Sequence, residues 1–519
     1  MPTEDGAHLL ARSTTLHIDD GIPCMLDQLV HMVKLGLPIG LLFFMEILYF
    51  PISLGLAGHL PASNPPQDTK LYVDAVALAS TYSTISCYAI GLGLGGGLDT
   101  LANQAHGAGN YAKMGVYLQS AILGTLLMFV PVVVANAFCG DVLLLFGVDP
   151  RLAALAGQYM HYLTFSLPFY FVYDLVQKLL QAHDIATPML LVAFLHNVVH
   201  VVLGLYFTRS LNMGFHGVAL AGCVAYMSYP ILQVIYLVTC NPVYKAWRLQ
   251  WNPRPAVAHL GEFYKLGLPG MGVMVIEFGA LSIVGFLAST LPNSLVIVGA
   301  NTVLHQSTNV IIVLCFGLSV ATTVHMGNAI GANQLARAKG LVHLSLAVTT
   351  VSVAVSATLL YVLRFDIAKL FFTDPVVCSR AASALVYAIP YHIFDSYNIV
   401  WQSMLRACGE QRLAVLVNTV AYYVVGLPVA GVLAFRFEWN LEGLWIGLTV
   451  GAFSASVAYM VCMMHHLSWE HVLAEANART TNSDDKLLVN SQNPPVSASS
   501  IRTSNMDSDD AGVMVYSGN

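Results

Sequence analysis

Charge is scarce in this chain. Only 10% of its 519 residues are Asp, Glu, Lys or Arg, where a soluble domain carries about a quarter. A soluble protein of this length would need a charged surface, and the residues to build one are missing. The nine cysteines include no Cys-x-x-Cys pair, and most lie in apolar runs, as do Cys87, Cys223, Cys315 and Cys462. That argues against a disulfide framework or a zinc site and favours small apolar packing residues. Basic excess is absent too: the net charge is −6, held largely in the two tails, so it says little about nucleic acid or anionic partners, and for a membrane protein of this kind no nucleic-acid partner is expected. The start, "MPTEDGAHLLARSTTLHIDD", lacks the basic-then-apolar order of a signal peptide. Insertion is expected to begin with the first membrane helix.

What is present is hydrophobic. The chain is 56% apolar, with a mean hydropathy of +0.67. Runs near twenty residues long recur, enough for helices that cross about 30 Å of hydrocarbon. Twelve spans are expected, near 35–57, 71–96, 115–138, 155–178, 187–208, 215–239, 266–289, 296–320, 341–363, 381–404, 414–435 and 443–465. With the N-terminus inside, cytoplasmic loops and tails hold 15 Lys and Arg. Outside loops hold 7: Lys70, Arg151, Arg209, Arg364, Lys369, Arg380 and Arg436. This asymmetry places both termini in the cytoplasm. The expected division is a cytoplasmic segment 1–33, an N-lobe 34–240, a cytoplasmic linker 241–264, a C-lobe 265–466 and a disordered cytoplasmic tail 467–519. Asp5-Gly-Ala-His-Leu-Leu10 has the spacing of an acidic dileucine sorting signal, a pattern that also arises by chance.

The two lobes are copies. "KLGLPIGLLFFMEI" from Lys34 and "KLGLPGMGVMVIEF" from Lys265 share their opening and place Glu46 and Glu277 twelve residues after the lysine. Further along, "GLGGGLDTLANQAHGAGNYAK" (93–113) lies on "GLSVATTVHMGNAIGANQLAR" (317–337), and "FGVDP" (146–150) on "FFTDP" (371–375). Six spans repeated in parallel describe a transporter build, with substrate bound near the midplane between halves.

Ionisable residues inside spans are functional candidates because burying charge is expensive. Glu277 lies ~18 Å along a helix from Lys265, at about 1.5 Å per residue. The functional reading is a carboxylate that exchanges protons and, when ionised, holds a cation, so that the two ligands compete. The structural alternative is a carboxylate hydrogen-bonded to neighbouring helices. Asp395, in "YAIPYHIFDSYN", is also deep. Glu46 is the repeat partner of Glu277, and reads equally as a second protonatable group or as one paired with a nearby His or hydroxyl. Asp74 lies nearer a span boundary, where the outer vestibule is expected. Asp174 stands four residues before Lys178, for which an i,i+4 ion pair is the simpler account. His196 and His200 share a helix face, but no acid or Cys completes a metal shell. "GLGLGGGLD" lacks the Lys-Ser/Thr of a phosphate loop and fits close helix packing. No recognisable catalytic cluster supports a membrane enzyme, and no cofactor or metal is expected.

Several long segments resemble the eukaryotic multidrug and toxin extrusion (MATE) transporters. They are "VDAVALASTYSTISCYAIGLGLGGGLDTLANQAHGAGNY", "FGLSVATTVHMGNAIGANQLARA", "QKLLQAH", "FTDP", "LRACGEQRLAVLVNTVAYYVVGLP" and "LEGLWIGL", within Lys34 to Trp469. The resemblance implies an all-α polytopic membrane protein of twelve transmembrane helices in two six-helix lobes related by pseudo-two-fold symmetry. It implies export of organic cations or related compounds in exchange for protons, sodium being the less expected ion, by alternating access. The family's membrane Glu falls on Glu277, and the acid of its tenth helix on Asp395, near Glu277 in the C-lobe cavity. Where some animal members carry further Glu residues, this chain has Ser282 and Gln306. These two, with Asn418, Tyr422, Tyr423 and, in the N-lobe, His200, are the expected cavity residues. Glu46 does not inherit the prokaryotic first-helix Asp, which aligns near Ser53. The alternative is a lipid or lipid-linked precursor flippase of the same broader superfamily; spans with acids and almost no Lys or Arg argue against anionic head groups. A monomer in the plasma membrane is expected, with an endosomal or vacuolar membrane as the other location.

Overall fold

In the computed structural model, residues 24–60, 67–249, 253–371 and 374–481 are described. The dileucine-like stretch and residues 482–519 lie outside them. Among the described residues the chain is helical, with no strand. In a membrane this follows from backbone chemistry, because a helix satisfies every peptide group within its own segment.

The N-lobe helices are α1 (Met25–Gly58), α2 (Thr69–Gly107), α3 (Tyr111–Ala137), α4 (Pro150–Ala182), α5 (Thr187–Ser210) and α6 (Gly214–Thr239). The C-lobe helices are α7 (Leu260–Ser289), α8 (Val296–Gly331), α9 (Leu335–Phe371), α10 (Pro375–Cys408), α11 (Gln411–Arg436) and α12 (Asn440–His466). Eleven of these are long and apolar enough to cross a membrane. The other is α4, whose 33 residues include Arg151, Asp174 and Lys178. Eleven of the expected spans fall inside one helix, and the span 115–138 passes the end of α3 by one residue. The helices run past the apolar runs at most ends, and at the start of α3, α4 and α10 a side-chain cap supports the added turn. Asn110 and Asp149, for example, accept from the first backbone amides of α3 and α4.

Two helix irregularities lie next to prolines, while Pro38, Pro131, Pro168, Pro230, Pro269 and Pro390 sit inside continuous helices. α1 is interrupted at Leu48. Pro51, three residues on, has no amide to donate to the Ile47 carbonyl. α11 widens into π-type turns over Thr419–Gly426, just before Pro428. Both irregularities lie beside residues of interest, Glu46 in α1 and Tyr422 in α11.

The lobes meet through small residues. A Cβ on Gly317 would stand 2.2 Å from the Gly36 carbonyl oxygen, and one on Gly270 would stand 2.5 Å from that of Gly93. Only glycine lets α1 cross α8, and α2 cross α7, at that distance. The glycine run of α2 is therefore a packing surface. Interlobe hydrogen bonds gather at the same end, the one carrying the 240–259 connection. Thr100 Oγ1 donates to the Arg406 carbonyl at 2.6 Å, Gln104 Nε2 to Ala407 at 3.0 Å, and Gln411 Nε2 to Gly96 at 2.9 Å.

One expectation needs correction. The segment from 467, read as a disordered tail, starts with a helix, α13 (Trp469–Thr481), which buries Val472, Ala476 and Arg479. Its composition is polar, yet its apolar residues fall on one face and dock on the bundle. Arg479 donates to Gln104 Oε1 at 3.2 Å and pairs with Glu475, and its carbonyl accepts from Tyr117 at 2.9 Å. α13 thereby ties to N-lobe residues while following directly on α12.

Candidate functional site

Glu277 sits on α7 with its carboxylate turned into the C-lobe. Its Oε1 accepts from Gln402 Nε2 of α10 at 2.6 Å and from Asn418 Nδ2 of α11 at 2.8 Å. Asn418 is held in turn, its Oδ1 accepting from Tyr459 of α12 at 2.5 Å. Tyr459 thus fixes which end of the Asn418 amide faces the carboxylate. Asp395, on α10 two turns before Gln402, accepts from Tyr422 of α11 at 3.3 Å and from Tyr391 one turn back. The two carboxylates are close enough to interact electrostatically. Every donor here is a neutral amide or phenol. Among the described residues, neither carboxylate forms an ion pair with Lys, Arg or His.

The other expected cavity residues divide. Asn418 and Tyr422 are buried in this group. Tyr423, one residue on, faces outward and donates to the Ile276 carbonyl at 3.2 Å. Ser282 is exposed and bonds back to Phe278 O at 2.8 Å, a local helix contact. Gln306 is half-buried on α8 and joins none of the hydrogen bonds around Glu277 and Asp395. Sequence reading missed Gln402, Tyr391 and Tyr459. A signal for Gln402 existed: Asp395, Asn398, Gln402 and Arg406 recur at helical spacing and form a polar stripe on α10.

Glu46 belongs to a different neighbourhood in the N-lobe. It faces the Tyr170 hydroxyl, with Asp174 and Lys178 nearby. Lys178 Nζ stands 3.8 Å from Asp174, the i,i+4 pair expected, and 3.2 Å from Asp99 of α2. Asp99 also meets Arg406 of α10 at 3.4 Å. Asp174, Lys178, Asp99 and Arg406 thus form a charge chain that crosses the lobe seam. Arg406 is one turn beyond Gln402, so the chain ends beside the Glu277 group.

His196 and His200 stack on aromatic rings, as sequence spacing alone could not foretell. His196 lies 3.8 Å from the Tyr229 ring centroid and His200 4.7 Å from that of Tyr49. His200 Nε2 is 3.4 Å from Ser53 Oγ. Both histidines are fully buried in the N-lobe. Among the described residues no group of three metal-ligating side chains comes together.

This arrangement can be set beside known proteins. The chain matches the MatE family over residues 38–206 and again over 269–432, one match per lobe, each starting at the proline of a twin stretch. It is 30% identical over 451 residues to multidrug and toxin extrusion protein 1 of Oryctolagus cuniculus, covering 87% of this chain and 77% of that one. Protein DETOXIFICATION 17 of Arabidopsis thaliana is 26% identical over 435 residues, covering 84% and 89%. Among solved structures, the eukaryotic MATE transporter AtDTX14 superposes with a TM-score of 0.82 at 23% identity, covering 88% of this chain and all of that one. A duplicated match across most of both lobes, on a twelve-helix bilobed fold, leads to one conclusion: the chain belongs to the MatE family of multidrug and toxin extrusion transporters.

Proposed function

We propose that this protein exports organic cations or related compounds in exchange for protons, with Glu277 and Asp395 as the shared site. The observation that carries the reading is the character of that site. Two carboxylates lie in the C-lobe interior, held by amides and phenols and without a salt-bridge partner among the described residues, Arg406 acting on Glu277 only at longer range. An isolated charge in such a place is costly, by roughly 2.5–3.5 kcal/mol at a helix centre on insertion scales. Each carboxylate is therefore occupied in one of two ways, by a proton or by a bound cation. Because one site serves both ligands, binding of one expels the other, and that competition is what makes exchange obligatory.

The donors around Glu277 suit both states. Gln402 and Asn418 each offer N–H groups to an ionised carboxylate, and Tyr422 offers an O–H to Asp395. None of them supplies a fixed positive charge that would replace the transported cation. The tight seam at the linker end supports a form closed on that side. With both termini in the cytoplasm, this would be an outward-facing form, with the opposite end giving access. Rocking about the glycine crossings would then alternate the access. Glu46 we assign as a second, separate protonatable group, linked toward the C-lobe site by the charges of Asp174, Lys178, Asp99 and Arg406. The plasma membrane is the favoured location. A carboxylate-lined site does not favour the flippase reading, which would want cations for an anionic head group.

The test is efflux of a model organic cation, such as tetraethylammonium, from vesicles with an imposed pH gradient. Uptake or release should follow the proton gradient and ignore a sodium gradient. A rate that follows sodium alone would reassign the ion and leave the fold untouched.

A further inference from the structure

A groove opens on the surface of the C-lobe between the linker ends of α7 and α11. It has a volume of about 460 Å³ and is lined by Tyr264, Lys265, Leu268, Pro269, Val415 and Arg412. The groove has two chemically distinct parts. Lys265 and Arg412 stand at one end, both exposed. Below them the floor is apolar, and Leu268 is 40% exposed. From Leu266 onward α7 carries no charge until Glu277, so Lys265 marks where hydrocarbon begins. Arg412 sits one residue into α11 and plays the same part there.

Arg412 has no ion-pair partner among the described residues. Lys265 lies 3.6 Å from Glu475 of α13, but an ammonium has three donors and can serve a second acceptor. Pro269 adds a further polar feature. It has no amide to donate to the Lys265 carbonyl, so the helix wall at the groove is locally uneven. Two cations at head-group depth over an apolar trough match one class of ligand, an amphiphile with an anionic head. From these features we infer that the groove binds an anionic phospholipid of the linker-side leaflet. The phosphate lies between Lys265 and Arg412, and an acyl chain runs down along Leu268 and Val415.

Such a lipid would bridge the bases of two helices that matter. Glu277 is twelve residues beyond Lys265 on α7, and Asn418 is six beyond Arg412 on α11. Those two side chains meet at 2.8 Å. An anionic lipid at the groove holds the helices at the spacing this hydrogen bond needs.

The experiment is lipid retention by native mass spectrometry, on full-length protein from phosphatidylcholine nanodiscs doped with phosphatidylglycerol. Wild type should retain phosphatidylglycerol in preference to phosphatidylcholine. Lys265→Gln and Arg412→Gln should each cut that retention severalfold, and Arg412→Lys should keep most of it. Lys34→Gln is the matched control, since Lys34 is exposed and has the same flanking sequence in the other lobe; it should retain lipid as wild type does. Equal loss in Lys34→Gln, or undiminished retention in Lys265→Gln and Arg412→Gln, or equal retention of the two lipids by wild type, would overturn the inference. Retention is read without transport, so the result is independent of the coupling ion.

Discussion

Gln402 donates to Glu277 at 2.6 Å, and the same helix, one turn later, places Arg406 against Asp99 of the opposite lobe at 3.4 Å. The carboxylate of the candidate site and the seam between lobes are thus held by neighbouring turns of α10. A shift of α10 along its axis cannot alter one without the other.

Binding of an organic cation should depend on pH with a defined sign. A proton neutralises the carboxylate and removes its attraction for a cation, so affinity falls as pH falls. If one cation displaces one proton, the dissociation constant rises up to about tenfold per pH unit in the acidic limb. Equilibrium binding in detergent across a pH series checks it, and a flat profile would argue against shared occupancy.

Tyr459→Phe should act on the site without touching a carboxylate. It removes the bond that orients Asn418, so the amide is free to turn its oxygen toward Glu277. Single membrane hydrogen bonds average about 0.6 kcal/mol, so stability should change little. Exchange should slow, and its pH profile should shift. An unchanged profile would show that Tyr459 only packs.

Asp99→Asn should destabilise the fold more than Asp174→Asn does. Asp99 serves both Lys178 and Arg406, whereas Asp174 serves Lys178 alone. Removing one partner of a buried ion pair costs about 3–5 kcal/mol. The thermal unfolding midpoint in detergent reads the order of the two variants.

Gly317→Leu should open the linker-end seam. Its Cβ would meet the Gly36 carbonyl oxygen at 2.2 Å and Gly40 backbone at 2.5 Å. Backbone cannot yield as a side chain can, so α1 and α8 must separate. Cysteine labelling at seam positions should rise in this variant while the helical content stays the same.

Much of this architecture was legible in the sequence. Apolar runs, the twin "KLGLP" openings and the Lys/Arg bias are local signals, and each reports a helix or its ends. Glu277 and Asp395 stood out because a carboxylate in an apolar run is conspicuous. Their partners did not, since Gln402 and Tyr459 are ordinary in a helix and gain meaning only when α7, α10, α11 and α12 converge. The i,i+4 pair of Asp174 and Lys178 was readable, but Asp99 and Arg406 are 307 positions apart and no spacing rule joins them. Tyr422 and Tyr423 show the limit well. One helix step sends the first to Asp395 and the second outward. The twin glutamates have also parted company. Glu277 accepts from the Gln402 and Asn418 amides with Arg406 as the nearby cation, whereas Glu46 faces the Tyr170 hydroxyl beside Asp174 and Lys178, so the duplication has not kept a common environment.

The central claim is tested most directly by a pH-jump efflux assay on wild type and Glu277→Gln in the same vesicles. Gln keeps the size and a hydrogen-bonding group but can neither bind a proton in this range nor attract a cation. The account predicts that a proton gradient drives efflux in wild type and leaves Glu277→Gln at the background rate, with protein level and thermal stability preserved. Gradient-driven efflux at the wild-type rate in Glu277→Gln would contradict it.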